Sequence, residues 1–355
     1  LLEEVTSMHM ADALVSPAVG GALWTVGAAL TYYSAAKTSS DFQAQKAPLM
    51  GVLGAFVFAA QMINFAIPGT GSSGHLGGGL LLSVLLGPYA GFLTMASILT
   101  IQALLFADGG LLALGCNIIN LAFFPCFVAY PLIYRKMAGD QPSRKRLAVA
   151  VTLATTVGLQ LGALGVVGET LASGITDLPF GTFTLFMLPI HLVIGLVEAA
   201  VTTAVLWYVR QEAPELFSVP LRAHATASIP LRRVLTAVVI GTVLTAGMLS
   251  WFASSNPDGL EWAIQKTTGR EEVQHSSPIH DLVASWQEKI ALFPDYQVAL
   301  PGVIQPKEAQ MEASNSRTVV NEGISAAGLI GSTLTLLVAG AVGAGCRVLA
   351  KRNSP

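Results

Sequence analysis

Eight apolar runs dominate this chain, at about 17–36, 49–67, 88–106, 110–134, 147–174, 183–209, 232–253 and 323–349. Each approaches the ~20 residues with which a helix crosses the hydrocarbon of a bilayer. Composition agrees: 53% of the residues are hydrophobic, 11% are charged and the mean hydropathy is +0.62, where soluble domains carry roughly 25% charged residues. The chain reads as an all-α integral membrane protein. Its formal net charge of -2 gives no basic surface for nucleic acid.

A ninth run, LGGGLLLSVLLG at 76–87, is short and ends at Gly87-Pro88, a pair that breaks or kinks a helix. Charge decides its place. Lys and Arg in short loops mark the cytoplasmic side, and they cluster at Lys37 and Lys46, at Arg135, Lys136, Arg144, Lys145 and Arg146, at Arg210, Arg222, Arg232 and Arg233, and at Arg347, Lys351 and Arg352. With the first cluster inside, the N-terminus and the loop PGTGSSGH at 68–75 fall outside. Returning from that loop to the basic 135–146 segment takes an odd number of crossings, so the short run must cross or nearly cross. About nine spans are expected: seven, a linker at 210–231 containing Pro214, Pro220 and Pro230, then a two-helix hairpin with a large external loop at 254–322. Two modules follow, 1–215 and 216–355. They lack the inverted repeat that marks many secondary transporters.

The sharpest polar features are Met8-His9-Met10, just before the first span, and His75 in the glycine-rich loop GTGSSGHLGGG. A histidine in second position behind a free amine chelates a metal through that amine, its own backbone nitrogen and its ring Nδ1; a second histidine completes four nitrogens in a plane. Such sites suit Ni(II) and Cu(II) and accept Co(II). The competing reading is that the glycines around His75 only permit close helix packing. His191 and Glu198 lie seven apart on one face of an apolar run, where ionisable groups are costly and serve a proton relay, a metal station or a structural hydrogen bond. Asp108, Asn117 and Asn120 read as caps or helix cross-links, and Cys116, Cys126 and Cys346 as packing residues. His275, His280 and Asp281 lack a fixed ligand pattern and read as part of a solvated loop. There is no GxxxxGK[ST] loop, so any ATP drive must come from a partner.

Three stretches resemble the cobalt and nickel substrate-binding component of energy-coupling-factor transporters, the CbiM/NikM type: MHMADALVSP at 8–17, residues 74–120, and HLVIGLVEA at 191–199. PDGLEWA at 257–263 is similar to the small auxiliary subunit of those systems, here fused behind the first. The resemblance implies a multi-pass protein of the cell (inner) membrane that holds one divalent ion near the outer surface as transported substrate, with no resident cofactor. It implies the Met8 amine, the His9 backbone and ring nitrogens and a ring nitrogen of His75 as the ligands. It also implies a transmembrane coupling subunit and two cytoplasmic ATPases as partners, and cobalt for cobalamin synthesis or nickel for metalloenzymes as the cargo. Seven residues, Leu1 to Ser7, precede Met8 and would turn its amine into an amide, so the working chain is expected to begin at Met8. Two other classes stay open, an intramembrane metalloenzyme built on His191 and Glu198 and a proton-coupled permease. The first lacks an HExxH pair, and the second would want several buried carboxylates along a path.

Overall fold

The computed structural model describes residues 9–40, 46–139, 142–217, 229–270, 273, 275, 277–296 and 322–352. The apolar runs form helices α1 (Pro17–Ser40), α2 (Lys46–Gln61), α4 (Pro88–Leu105), α5 (Leu114–Ala138), α6 (Arg144–Ser173), α7 (Phe180–Glu212), α8 (Ile229–Gly247) and α11 (Glu322–Arg352). A short antiparallel pair, β1 (Phe65–Ile67) and β2 (Ser72–Gly74), and an eight-residue helix, α3 (Gly79–Leu86), lie between α2 and α4. Two further helices, α9 (Gly259–Thr268) and α10 (Pro278–Ile290), belong to the loop before α11. Among the described residues, α4, α5, α6, α7 and α11 are long and apolar enough to cross a membrane by length and composition. Local signals set their limits: Pro88 opens α4, the Ser143 hydroxyl accepts from the Arg146 amide at the start of α6, and Gly174 ends α6 in the left-handed region. Pro125 and Pro131 cannot donate backbone hydrogen bonds, and α5 is wound as a wider π-helix from Ile119 to Tyr134.

The 76–87 run departs in part from its expected form. All eight residues of α3 are buried, but at 1.5 Å per residue α3 spans only about 12 Å. The segment leading into it, residues 75–78, is irregular chain that ends with Gly78 in the left-handed region. Irregular backbone at such depth is tolerated only where protein satisfies its polar groups, and here Glu198 does so. Its carboxylate accepts from the Gly77 amide at 2.9 Å and from the Gly78 amide at 2.9 Å, while Gln61 Nε2 donates to the Gly77 carbonyl at 2.8 Å. Glu198 lies 18 residues into α7, about 27 Å along its axis, so it pins the base of this segment from a neighbouring helix. That is the structural hydrogen bond among the roles its sequence left open.

The hairpin of the second module is packed into the bundle. Helix α11 lies along α2 and also touches α4 and α8. The described part of the loop between α8 and α11, up to Tyr296, folds back over the end where α1 begins and α4 finishes. Ser254 N donates to the Asn64 carbonyl at 2.7 Å, Ser73 N to the Pro257 carbonyl at 2.8 Å, and Gln287 Nε2 to the carbonyls of Ala103 and Gly109 at 2.9 and 2.8 Å. Cys116, Cys126 and Cys346 are buried and free, as packing residues are.

Candidate metal centre

His9 and His75 come from opposite sides of one cavity. The segment 9–15 is held by paired bonds: Met10 N donates to Asn117 Oδ1 at 3.0 Å, Asn117 Nδ2 returns one to the Met10 carbonyl at 3.1 Å, and Asp12 Oδ1 accepts from Ala113 N at 2.9 Å. The loop after α4 supports the His9 ring. Asp108 Oδ1 lies 2.9 Å from His9 Nδ1, and Tyr296 donates its hydroxyl to Asp108 Oδ2. Ala107 and Gly109 on either side of Asp108 are in the left-handed region, at φ 54 and 83. A Cβ on Gly109 would sit 2.9 Å from the His9 Cβ, so glycine is needed for this approach. On the far wall, the extended chain after β2 presents His75, whose ring centroid is 5.3 Å from that of His9.

The cavity has a volume of about 60 Å³, room for an ion and a few waters. His191 and Asp258 join His9 and His75 in its lining. His191 donates Nδ1–H to the Met187 carbonyl at 2.7 Å, which leaves the lone pair on Nε2. Asp258 comes from the second module, where it caps α9. Its Oδ1 accepts from Leu260 N and Glu261 N, both at 2.9 Å, and Glu261 bonds back to the Asp258 amide. The stretch DGLE is thus a capping box, with the acidic residue at the fourth position closing the loop on the first. Asp258 Oδ2 lies 3.9 Å from His75 Nε2.

Burial alone would raise the Asp108 carboxyl, but the His9 ring and the Tyr296 hydroxyl hold it below the ordinary carboxylate range. Burial, helped by Asp108, pushes the Tyr296 phenol well up, so it remains a donor. Burial also raises the Asp258 carboxyl, against the two amides bound to it.

Several residues sit differently from their sequence reading. Asp108 orients a histidine, and Asn117 locks the backbone beside it, where cap or cross-link roles were expected. Asn120 is a cross-link: its Nδ2 donates to Glu169 Oε2 at 2.7 Å. His280 was expected in a solvated loop, yet it is buried, with Nε2 at 3.1 Å from the Asp12 carbonyl and 2.9 Å from the Val15 carbonyl, and Nδ1 at 2.7 Å from Ser277 Oγ. It holds the second module's loop to the His9 segment, a pairing of residues 265 or more apart that spacing alone does not reveal. Met8 lies outside the described residues.

The cavity, lined by three imidazoles and one carboxylate, lies in a bundle whose helices include five long and apolar enough to cross a membrane among the described residues, which defines the class as a multi-helix membrane protein with a polar, imidazole-rich cavity. The family model for the cobalt uptake substrate-specific transmembrane region, CbiM, matches residues 9–216, and that for the PDGLE domain matches residues 232–347. The chain belongs to the CbiM family and is a cobalt/nickel transport membrane protein of the CbiM/NikMN type, a transporter and not an enzyme. It is 32% identical over 307 residues to the probable fused nickel transport protein LarMN of Lactiplantibacillus plantarum, covering 82% of this chain and 89% of that one. A putative metal transport protein of Haloquadratum walsbyi is 36% identical over 210 residues, 59% of this chain and 93% of the relative. A crystal structure of a transition metal transporter superposes with a TM-score of 0.52 at 31% identity, covering 60% of this chain and 99% of that one.

Proposed function

We propose that the chain is the ion-capturing subunit of an ATP-driven importer of the energy-coupling-factor type, taking Ni(II) or Co(II) from the outer side of the membrane for delivery inward. The convergence of His9 and His75, 66 residues apart in sequence with rings 5.3 Å apart, carries this reading. The ligands are the Met8 amine, the His9 backbone and ring nitrogens, and a ring nitrogen of His75. Four nitrogens in a plane suit Ni(II) and accept Co(II). Affinity falls in acid, as for any site whose ligands must lose protons to bind a metal.

Residues 1–215 form the capturing module. Residues 216–355 form the auxiliary module that closes over it. The positive clusters at 135–146 and at 347–352 face the cytoplasm, where a coupling subunit and two ATPases engage the chain. Purified alone it binds the ion and hydrolyses no ATP, since it carries no phosphate-binding loop. Co-reconstituted with those partners, it supports ATP-dependent accumulation of nickel or cobalt inside vesicles. ATP hydrolysis by the homogeneous chain, or uptake by the chain without any ATPase, would overturn the assignment.

A further inference from the structure

The carboxylate at the start of the auxiliary module's loop helix has no role in the four-nitrogen chelate, yet it is built into the same cavity. We propose that Asp258 is a direct ligand of the transported ion, so that the complete binding site is made by both modules. This rests on the reading of His9 and His75 as ligands and extends it.

Four observations carry it. First, the loop is seated and not merely near. Ser73 Oγ donates to the Asn256 carbonyl at 2.7 Å, Ser73 N to the Pro257 carbonyl at 2.8 Å, and Trp262 Nε1 to the Thr70 carbonyl at 3.0 Å. These bonds tie both sides of Asp258 to the loop that bears His75. Second, the carboxylate has a fixed aim. Oδ1 is engaged by two amides of its own helix, which turns Oδ2 toward His75 Nε2. Third, the fit is close: a Cβ on the next residue, Gly259, would meet Ile194 Cδ1 at 2.9 Å and His191 Cε1 at 3.1 Å. The loop start is thus packed directly against the Ile194 and His191 side chains of α7. Fourth, the carboxylate is 3% exposed, and among the described residues lining the cavity none is Lys or Arg. A buried carboxylate is costly unless paired with a cation or coordinating a metal.

The separation fits a shared ion. At 3.9 Å, Oδ2 and His75 Nε2 are too far apart for a hydrogen bond, and they lie within the ~4.2 Å that two donors at about 2.1 Å each can span across one metal. The ion entering between them meets a carboxylate oxygen and an imidazole nitrogen together, an oxygen donor added to the nitrogens.

Asparagine caps a helix as well as aspartate does, so Asp258→Asn keeps the capping geometry and removes the charge. The test is titration of the chain begun at Met8, so that its amine is free, in detergent with Co(II), reading affinity, the visible absorption of bound Co(II) and thermal stability, for wild type, Asp258→Asn and His75→Ala. The expected result is an unchanged melting temperature for Asp258→Asn, affinity lowered about 10- to 100-fold as when a metal site loses a supporting group, and a shifted Co(II) spectrum at saturation. An unchanged spectrum at saturation overturns the proposal, whatever the affinity. If binding is too weak to saturate, a wild-type melting temperature supports the ligand role and a lowered one assigns Asp258 to capping alone. Failure of the wild type to bind, or normal binding by His75→Ala, would instead overturn the histidine reading beneath it.

Discussion

Glu198 tests the link between buried backbone and ion capture. Its carboxylate is 4% exposed and takes both the Gly77 and the Gly78 amide at 2.9 Å. Hydrogen bonds to a charged acceptor each contribute roughly 1.5–3 kcal/mol, so the pair holds the segment below His75 by roughly 3–6 kcal/mol. Glu198→Gln keeps one acceptor oxygen and turns an NH₂ group toward the other amide, losing about half of this, roughly 1.5–3 kcal/mol. Since His75 is two residues before Gly77, most of that loss should fall on the arrangement that presents its ring. The expected outcome is a lower melting temperature together with metal affinity reduced roughly 10- to 100-fold, measured by thermal unfolding and by equilibrium titration on the same preparation. A variant with wild-type stability and affinity that nevertheless fails to transport would refute the anchoring argument and return Glu198 to a proton-carrying role.

Other consequences follow from the same contacts. With single cysteines at the exposed positions Ala66 and Lys145, an impermeant maleimide added outside should label only Ala66→Cys, and equal labelling of both would overturn the orientation. His280→Ala leaves the Asp12 and Val15 carbonyls without their imidazole donor, costing about 1–3 kcal/mol; ion affinity should fall less than for His75→Ala, and a collapse as complete as that of His75→Ala would show His280 to be a ligand. Because bound imidazoles must be neutral, Ni(II) affinity should decline steadily as pH falls from 8 to 5, and a pH-independent titration would argue against histidine ligation.

The long helices were legible because length and hydropathy alone distinguish a membrane span. Charge parity pointed to the 76–87 run as a crossing, but its form was not legible, since the chain leading into its short helix is irregular and has amides satisfied by a residue about 120 positions away. His9 and His75 stood out as chemistry because a second-position histidine and a glycine-rich loop carry their own rationale. Asp108 did not: its role depends on a left-handed turn at Ala107 and on Tyr296, 188 residues away. His280 was misread because an exposed-looking loop gives no sign of what it folds back upon. Asp258 was visible only as part of the PDGLEWA stretch that carried a resemblance, and local spacing says nothing of the cavity into which that helix start is docked. What the sequence withheld was long-range placement, which in this chain is set by hydrogen bonds between the loops of two modules.

The central claim is that His9 and His75 hold the transported ion together, and the most direct measurement is equilibrium titration of the purified chain begun at Met8 with Ni(II) beside His9→Ala and His75→Ala. One ion bound tightly per wild-type chain, with binding lost in each variant while the melting temperature without metal is kept, is the predicted result. Wild-type affinity in either variant would contradict it.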